Sequence, residues 1–196
     1  MPTTPTPKAT AGHRRVGLAA AGIALVLVAG ACSSSSKTPA AGSTGKSASL
    51  LNKALQEQVA GNTAQAEKDY KAVIAADPQN KYAFYDLGLI YDNQGKNSLA
   101  EGQYSLALGI DAKYEPALYN LARLRALDGN TSGAITLYQQ AIASNPKDAN
   151  AHFNLGLLLR HTNKVAEGNA QVQTAVQLNP ALASKATAQG VPLTGK

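Results

Sequence analysis

Residues 84–107 read FYDLGLIYDNQGKNSLAEGQYSLA, and this stretch decides the fold. Phe84, Leu87, Gly88 and Tyr91 fall three, four and seven apart, on one face of a helix. Gly95 ends that run, because glycine adopts the left-handed conformation of a helix terminus without penalty. Asn97 and Ser98 are expected to cap the next helix with their side-chain oxygens. Ala100, Tyr104 and Ala107 mark the buried face of that second helix. The pattern then repeats every 34 residues: Leu87, Leu121 and Leu155; Gly88, Ala122 and Gly156; Gly61, Gly95 and Gly129; Tyr70, Tyr104 and Tyr138. Ala107, Ala141 and Ala175 keep the same step, as do Pro146 and Pro180. A fixed period of roughly 20–50 residues is the mark of stacked repeats, which build extended surfaces and seldom carry out chemistry.

These residues resemble the tetratricopeptide repeat, a helix pair carrying aromatic–x2–Leu–Gly–x2–Tyr, then Ala–x3–aromatic, then Ala and Pro. The resemblance implies an all-α, right-handed solenoid of four helix-turn-helix units at 47–80, 81–114, 115–148 and 149–182, together 136 of 196 residues. Helices are expected near 48–60, 63–76, 81–94, 97–110, 115–128, 131–144, 149–162 and 165–178. A short helix near 181–189, within a C-terminal cap and tail at 183–196, is expected to cover the open end. Small residues at 88, 100 and 107 let neighbouring helices approach, and prolines at 78, 146 and 180 stop the second helices. Unit one departs from the pattern, with Lys53 and Glu57 at positions of Leu and Tyr, and reads as a polar N-terminal cap. Unit two has Ala112 for Pro. Unit four has His152 for the large aromatic, Val172 for the second aromatic and Gly168 for Ala; that glycine is expected to weaken its helix by about 0.5–1 kcal/mol.

Residues 1–46 do not share the period. His13-Arg14-Arg15 precede an uncharged run from Val16 to Ala31, and Cys32 follows directly. A basic segment, a short apolar segment and small residues at the boundary describe an export signal at 1–31. The apolar run has 16 residues, short of the ~20 that span a bilayer. Cys32 is the only cysteine, so no internal disulfide and no cysteine metal site exists. Val28-Ala29-Gly30-Ala31-Cys32 resembles the lipobox of bacterial lipoproteins, with Ala29 where Leu is commonest. The resemblance implies a fatty-acylated Cys32 as the first mature residue and a protein lipid-anchored to the outer face of the membrane in a bacterial cell envelope. Residues 32–46, rich in Ser, Ala, Gly, Thr and Lys, read as a flexible tether.

The net charge of +6 does not describe the repeats. Residues 47–182 hold 11 basic and all 12 acidic side chains, so the repeats lack the basic excess of a nucleic-acid binder. No catalytic constellation, cofactor motif or metal set is read. His152 sits at a packing position and His161 at a helix end, while Asp86, Asp92 and Asp128 occur singly. An enzyme is therefore not expected, and neither is a cofactor.

In the family the resemblance names, the first helices of successive units line a concave groove. The groove positions fall on Tyr82, Pro116 and Asn150; on Leu51, Tyr85, Tyr119 and Phe153; on Asn52, Asp86, Asn120 and Asn154; and on Leu55, Leu89, Arg123 and Leu157. Asp92, Asn93, Ala126, Leu127, Arg160 and His161 complete it. Tyr85, Tyr119 and Phe153 are expected to stand exposed there as anchors for a partner. Asn120 and Asn154 are expected to pair with the backbone of an extended peptide, since an amide both donates and accepts. Leu51, Leu55, Asn120, Asn150 and Asn154 occupy places where a carboxylate clamp needs Lys and Arg, so a free C-terminal acid is not the expected ligand. The leading expectation is a membrane-tethered scaffold for an extended peptide or partner subunit. A cell-wall or polysaccharide assembly role, with tyrosines stacked on sugar rings, and a pilotin-like part in secretion or pilus assembly remain open.

Overall fold

The computed structural model describes residues 45–193. The expected export signal, Cys32 and most of the expected tether lie outside the described residues.

The described chain is helical throughout its regular structure and forms a solenoid. Helices α1 (Gly45–Val59) and α2 (Thr63–Ala76) make unit one, and α3 (Lys81–Asn93) and α4 (Asn97–Ile110) make unit two. Unit three is α5 (Glu115–Leu127) with α6 (Thr131–Ser144), and unit four is α7 (Ala149–His161) with α8 (Val165–Leu178). A single 3-10 turn, Pro180–Leu182, leads into the short α9 (Ala183–Ala188). Each boundary lies within a few residues of the sequence expectation. α1 begins at Gly45, so the last two residues assigned to the tether are helical.

The hairpins close by one device. At Gly95 (φ 69°) the backbone turns left-handed, and the Lys96 N–H reaches back to the Tyr91 carbonyl at 2.9 Å. In unit four Asn163 takes the same conformation (φ 63°), as a short polar side chain permits. The start of α4 differs from expectation. Asn97 is already helical, the N-cap is Lys96, and no side chain caps the helix. Side-chain caps form instead at Asn80, whose Oδ1 accepts from the Ala83 N–H at 3.1 Å, and at Asn130, which accepts from Gly133 at 3.0 Å.

Three apolar clusters run along the solenoid. The first joins units one and two, with Leu51, Ala54, Tyr70, Phe84, Leu87 and Tyr104 buried. The second, around Tyr119, Tyr138, Leu155 and Leu158, carries the core from unit three into α7. The third holds Phe153, Leu157 and Val172 beneath Leu182, Ala186 and Val191 of the C-terminal cap. Unit one ends in polar contacts, as a terminal repeat does: Lys53 pairs with Asp69 at 3.1 Å, and Glu57 accepts from Asn62 at 2.8 Å.

Gly168 corrects a sequence expectation. A Cβ there would stand 2.6 Å from the Gly156 carbonyl oxygen and 2.9 Å from the Arg160 nitrogen. Gly156 is equally closed, with the Gly168 carbonyl oxygen 2.7 Å from its would-be Cβ. The two glycines let α7 and α8 touch backbone to backbone, so the residue is a packing requirement and not a weakness.

Candidate binding surface

The first helices stand side by side, because side chains bridge α3 to α5 and α5 to α7. Asn120 Nδ2 donates to the Tyr85 hydroxyl at 3.2 Å, and Asn154 Nδ2 donates to the Tyr119 hydroxyl at 3.1 Å. Arg123 bonds Asp92 in a close ion pair, and the Tyr104 hydroxyl donates to the same carboxylate oxygen at 3.2 Å.

These bridges overturn part of the sequence reading. Tyr85, Tyr119 and Phe153 are 6%, 1% and 1% exposed, so they are core and not anchors. Each ring packs within its own unit, and only the Tyr85 and Tyr119 hydroxyls reach the next one. Tyr85 packs against Tyr114 at 5.3 Å and Tyr104 at 5.8 Å between ring centroids. Tyr119 meets Tyr138 at 5.6 Å, and Phe153 lies under the C-terminal cap. The asparagines fall with them. Asn120 is buried, and Asn154, fully buried, also donates to the Tyr138 hydroxyl at 3.2 Å. Both amides hold the rings of the preceding unit in register instead of facing a ligand. Leu157 is likewise buried beneath the cap.

Tyr82, Asp86, Leu89 and Arg123 are less deeply buried than these rings and amides. Tyr82, Asp86 and Leu89, four and three residues apart, form one partly buried line along α3, with the Asp86 carboxyl turned inward. Arg123 is half-buried and already committed to Asp92. On α1 the line continues through exposed Asn52, half-buried Leu55 and Val59, whose side chain is 89% exposed.

The electrostatics of this face are set by burial. Burial pushes the Asp86 carboxyl from the ordinary 3.8 up to about 7, against the lowering effect of a hydrogen bond from Tyr70. Glu115, at the start of α5, is also raised, first by burial and then by the hydrogen bond and charge of Asp148. Sequence reasoning missed Tyr114, Glu115 and Asp148, because they lie at unit boundaries, outside the groove positions of the first helices. Tyr114 meets Tyr82 edge-on at 5.7 Å, and the Lys81 ammonium stands 4.9 Å from the Tyr114 ring centroid. A signal was present: at the 34-residue step, Tyr114 replaces the polar Asn80 and Asp148.

Among the described residues, no group of three or more His, Cys, Asp or Glu is placed to hold a metal ion. His152 is buried, with its ring nitrogens 2.7 Å from Gln171 Oε1 and 3.2 Å from the Pro146 carbonyl, which is a packing role.

Residues 51–115 match the family profile described as tetratricopeptide repeat, and residues 123–160 match one described as TPR repeat. The chain therefore carries tetratricopeptide repeats, and their solenoid is a protein-interaction architecture. Solved structures agree on the fold. MamA residues 41-end from Desulfovibrio magneticus RS-1 shares 20% identity at a TM-score of 0.64, over 71% of this chain and 78% of that one. PilF of Pseudomonas aeruginosa shares 21% at 0.60, over 68% of this chain and 61% of that one. The first TPR of Spaghetti (RPAP3), bound to the HSP90 peptide SRMEEVD, shares 20% at 0.57, over 60% of this chain and 94% of that one. No curated protein sequence matches the chain.

Proposed function

We propose that this protein is a membrane-tethered, extracytoplasmic scaffold that holds an extended partner segment against the first helices of units one and two. The observation that carries this reading is the open line of Tyr82, Asp86 and Leu89 on α3, continued by Asn52, Leu55 and Val59 on α1. An apolar strip interrupted by single polar groups suits a peptide that presents alternate side chains to one surface. The bound peptide of the Spaghetti repeat supports the mode, because a TPR unit of the same fold there holds a short segment. The sugar-stacking alternative loses Tyr85, Tyr119 and Phe153, which are buried.

A photo-crosslinking residue in place of Tyr82 or Leu89, introduced in living cells, should yield one shared partner adduct. The same residue at exposed Leu106 on α4 should not. Equal adducts at all three positions, or none at 82 and 89, would sink the reading.

The tether rests on Cys32. Acylation there leaves a mature chain of 165 residues that fractionates with membranes. A single saturated chain binds membranes only marginally, with an association constant on the order of 10⁴ M⁻¹, so two or more chains are expected. Cys32→Ala should leave an unprocessed precursor or a released protein. A soluble native protein with Cys32 as a free thiol would end the lipoprotein reading.

A further inference from the structure

The tail beyond α9 is held in a way the repeat does not require. Residues 189–193 leave the helix through Gly190 (φ 64°) and run without regular structure over unit four. Arg160, on α7, donates from Nη2 to the carbonyls of Gln189 at 3.2 Å and Gly190 at 3.1 Å. Gln173, on α8, donates from Nε2 to the Pro192 carbonyl at 3.2 Å. Between these contacts the Val191 side chain is 4% exposed, inserted into the cluster of Phe153, Leu157 and Val172. Arg160 is in turn oriented by Asn169, which accepts from its Nη1.

Main-chain carbonyls read by side-chain donors, with one aliphatic side chain taken into a pocket, is how extended peptides are recognised. Of the two donors, Arg160 is particular to unit four. One and two periods before Arg160 stand Ala126 and Asp92, whereas the Gln173 amide recurs one period back as Gln139, with Ser105 two periods back. The stretch before the tail is weakly built, since α9 has six residues, fewer than the ~12 or more that sustain a helix alone.

We infer that α7 and α8 form a second peptide site, for an extended segment with an aliphatic side chain between exposed carbonyls, and that the chain's own residues 189–193 occupy it in cis. Tethering gives the tail an effective concentration that a free peptide must overcome, so the site is closed until the tail is displaced. It lies apart from the open line on α1 and α3, so its failure leaves that reading standing.

The probe is a fluorescein-labelled synthetic peptide of residues 187–196, TAQGVPLTGK, measured by anisotropy against the full chain. Val191→Asp removes the apolar anchor of the cis tail. That variant should bind the peptide roughly tenfold or more tightly than the unchanged chain does. Adding Arg160→Ala should return binding to the level of the unchanged chain. A folded Val191→Asp chain that binds no better than the unchanged one overturns the inference. Unfolding of that variant also overturns it, because a segment the fold cannot spare is not an exchangeable ligand.

Discussion

In unit two, Tyr82, Asp86 and Leu89 on α3 are only partly buried, whereas of the matching Asn150, Asn154 and Leu157 on α7 the last two are buried. The backbone frame is the same, so the difference lies in what covers each helix. Asn154 is held by two hydroxyls, of Tyr119 and Tyr138, while Asp86 follows a unit with Leu51 at the ring position and has only the Tyr70 hydroxyl from it. Leu157 lies under Leu182 and Val191, and Leu89 has no cap above it. One repeat sequence thus yields an open face at one end and a closed face at the other. The closed end is built from the residues that sequence alone offers as ligand contacts.

The largest expected contrast separates two tyrosines of the predicted groove. Tyr119→Ala removes a fully buried ring and should cost about 3–5 kcal/mol, read by chemical denaturation. Tyr82→Ala, on the open line, should cost about 1 kcal/mol or less and act on partner capture instead. Equal losses of stability would erase the distinction between the two faces.

The amides come next. Asn154→Ala withdraws the donor of two hydrogen bonds in a fully buried site and should cost about 2–3 kcal/mol. Asn52→Ala, at the same position of the exposed unit one, should stay within about 0.5 kcal/mol. A costly Asn52→Ala would show that the amide serves the fold in every unit.

A third contrast uses one substitution with opposite signs. Gly168→Ala forces a Cβ against two backbone atoms and should destabilise by about 1–3 kcal/mol. Gly102→Ala on α4 meets nothing within 4 Å and should stabilise by about 0.5–1 kcal/mol through lower chain entropy. Thermal melts of the two variants decide it, and stabilisation by both would mean that α7 and α8 can separate without loss.

The fold was legible in the sequence because the 34-residue step fixes helix, turn and helix together. The direction of individual side chains was less so. Membership of a first-helix face does not say whether a ring points into the groove or packs within its own unit with its hydroxyl toward the next. The evidence was present as a second spacing: Tyr85 to Asn120 and Tyr119 to Asn154 are both 35 apart, which pairs a hydroxyl with an amide across units. Gly168 misled for a similar reason. Helix propensity is a local quantity, but the partner is Gly156, twelve residues back across the hairpin. The pairs Ala54/Ala66, Gly88/Ala100 and Ala122/Ala134 share that spacing, and only unit four has glycine at both places. The tail had no period to read, so Arg160 stood in the sequence as a groove position and Gln173 carried no signal of a tail contact.

The smallest effect concerns the open face and its response to pH. Burial raises the folded-state pKa of Asp86 from 3.8 to about 7. A carboxyl raised in the folded state favours folding when protonated. Its contribution is therefore complete below the unfolded value and is lost as pH rises through the folded one. Glu115 is raised in the same direction, so both groups act together. The midpoint of thermal unfolding should fall as pH climbs from about 4 to about 8, and Asp86→Asn should flatten that slope. Asp86 lies between Tyr82 and Leu89 on α3, so ionisation near pH 7 would also place a charge in the middle of the proposed contact line. Partner capture by the unchanged chain should then respond to pH across the same window, and capture by Asp86→Asn should not. A slope in stability that survives Asp86→Asn unchanged would assign the titration to Glu115, at the start of unit three, and leave the α3 face electrostatically silent.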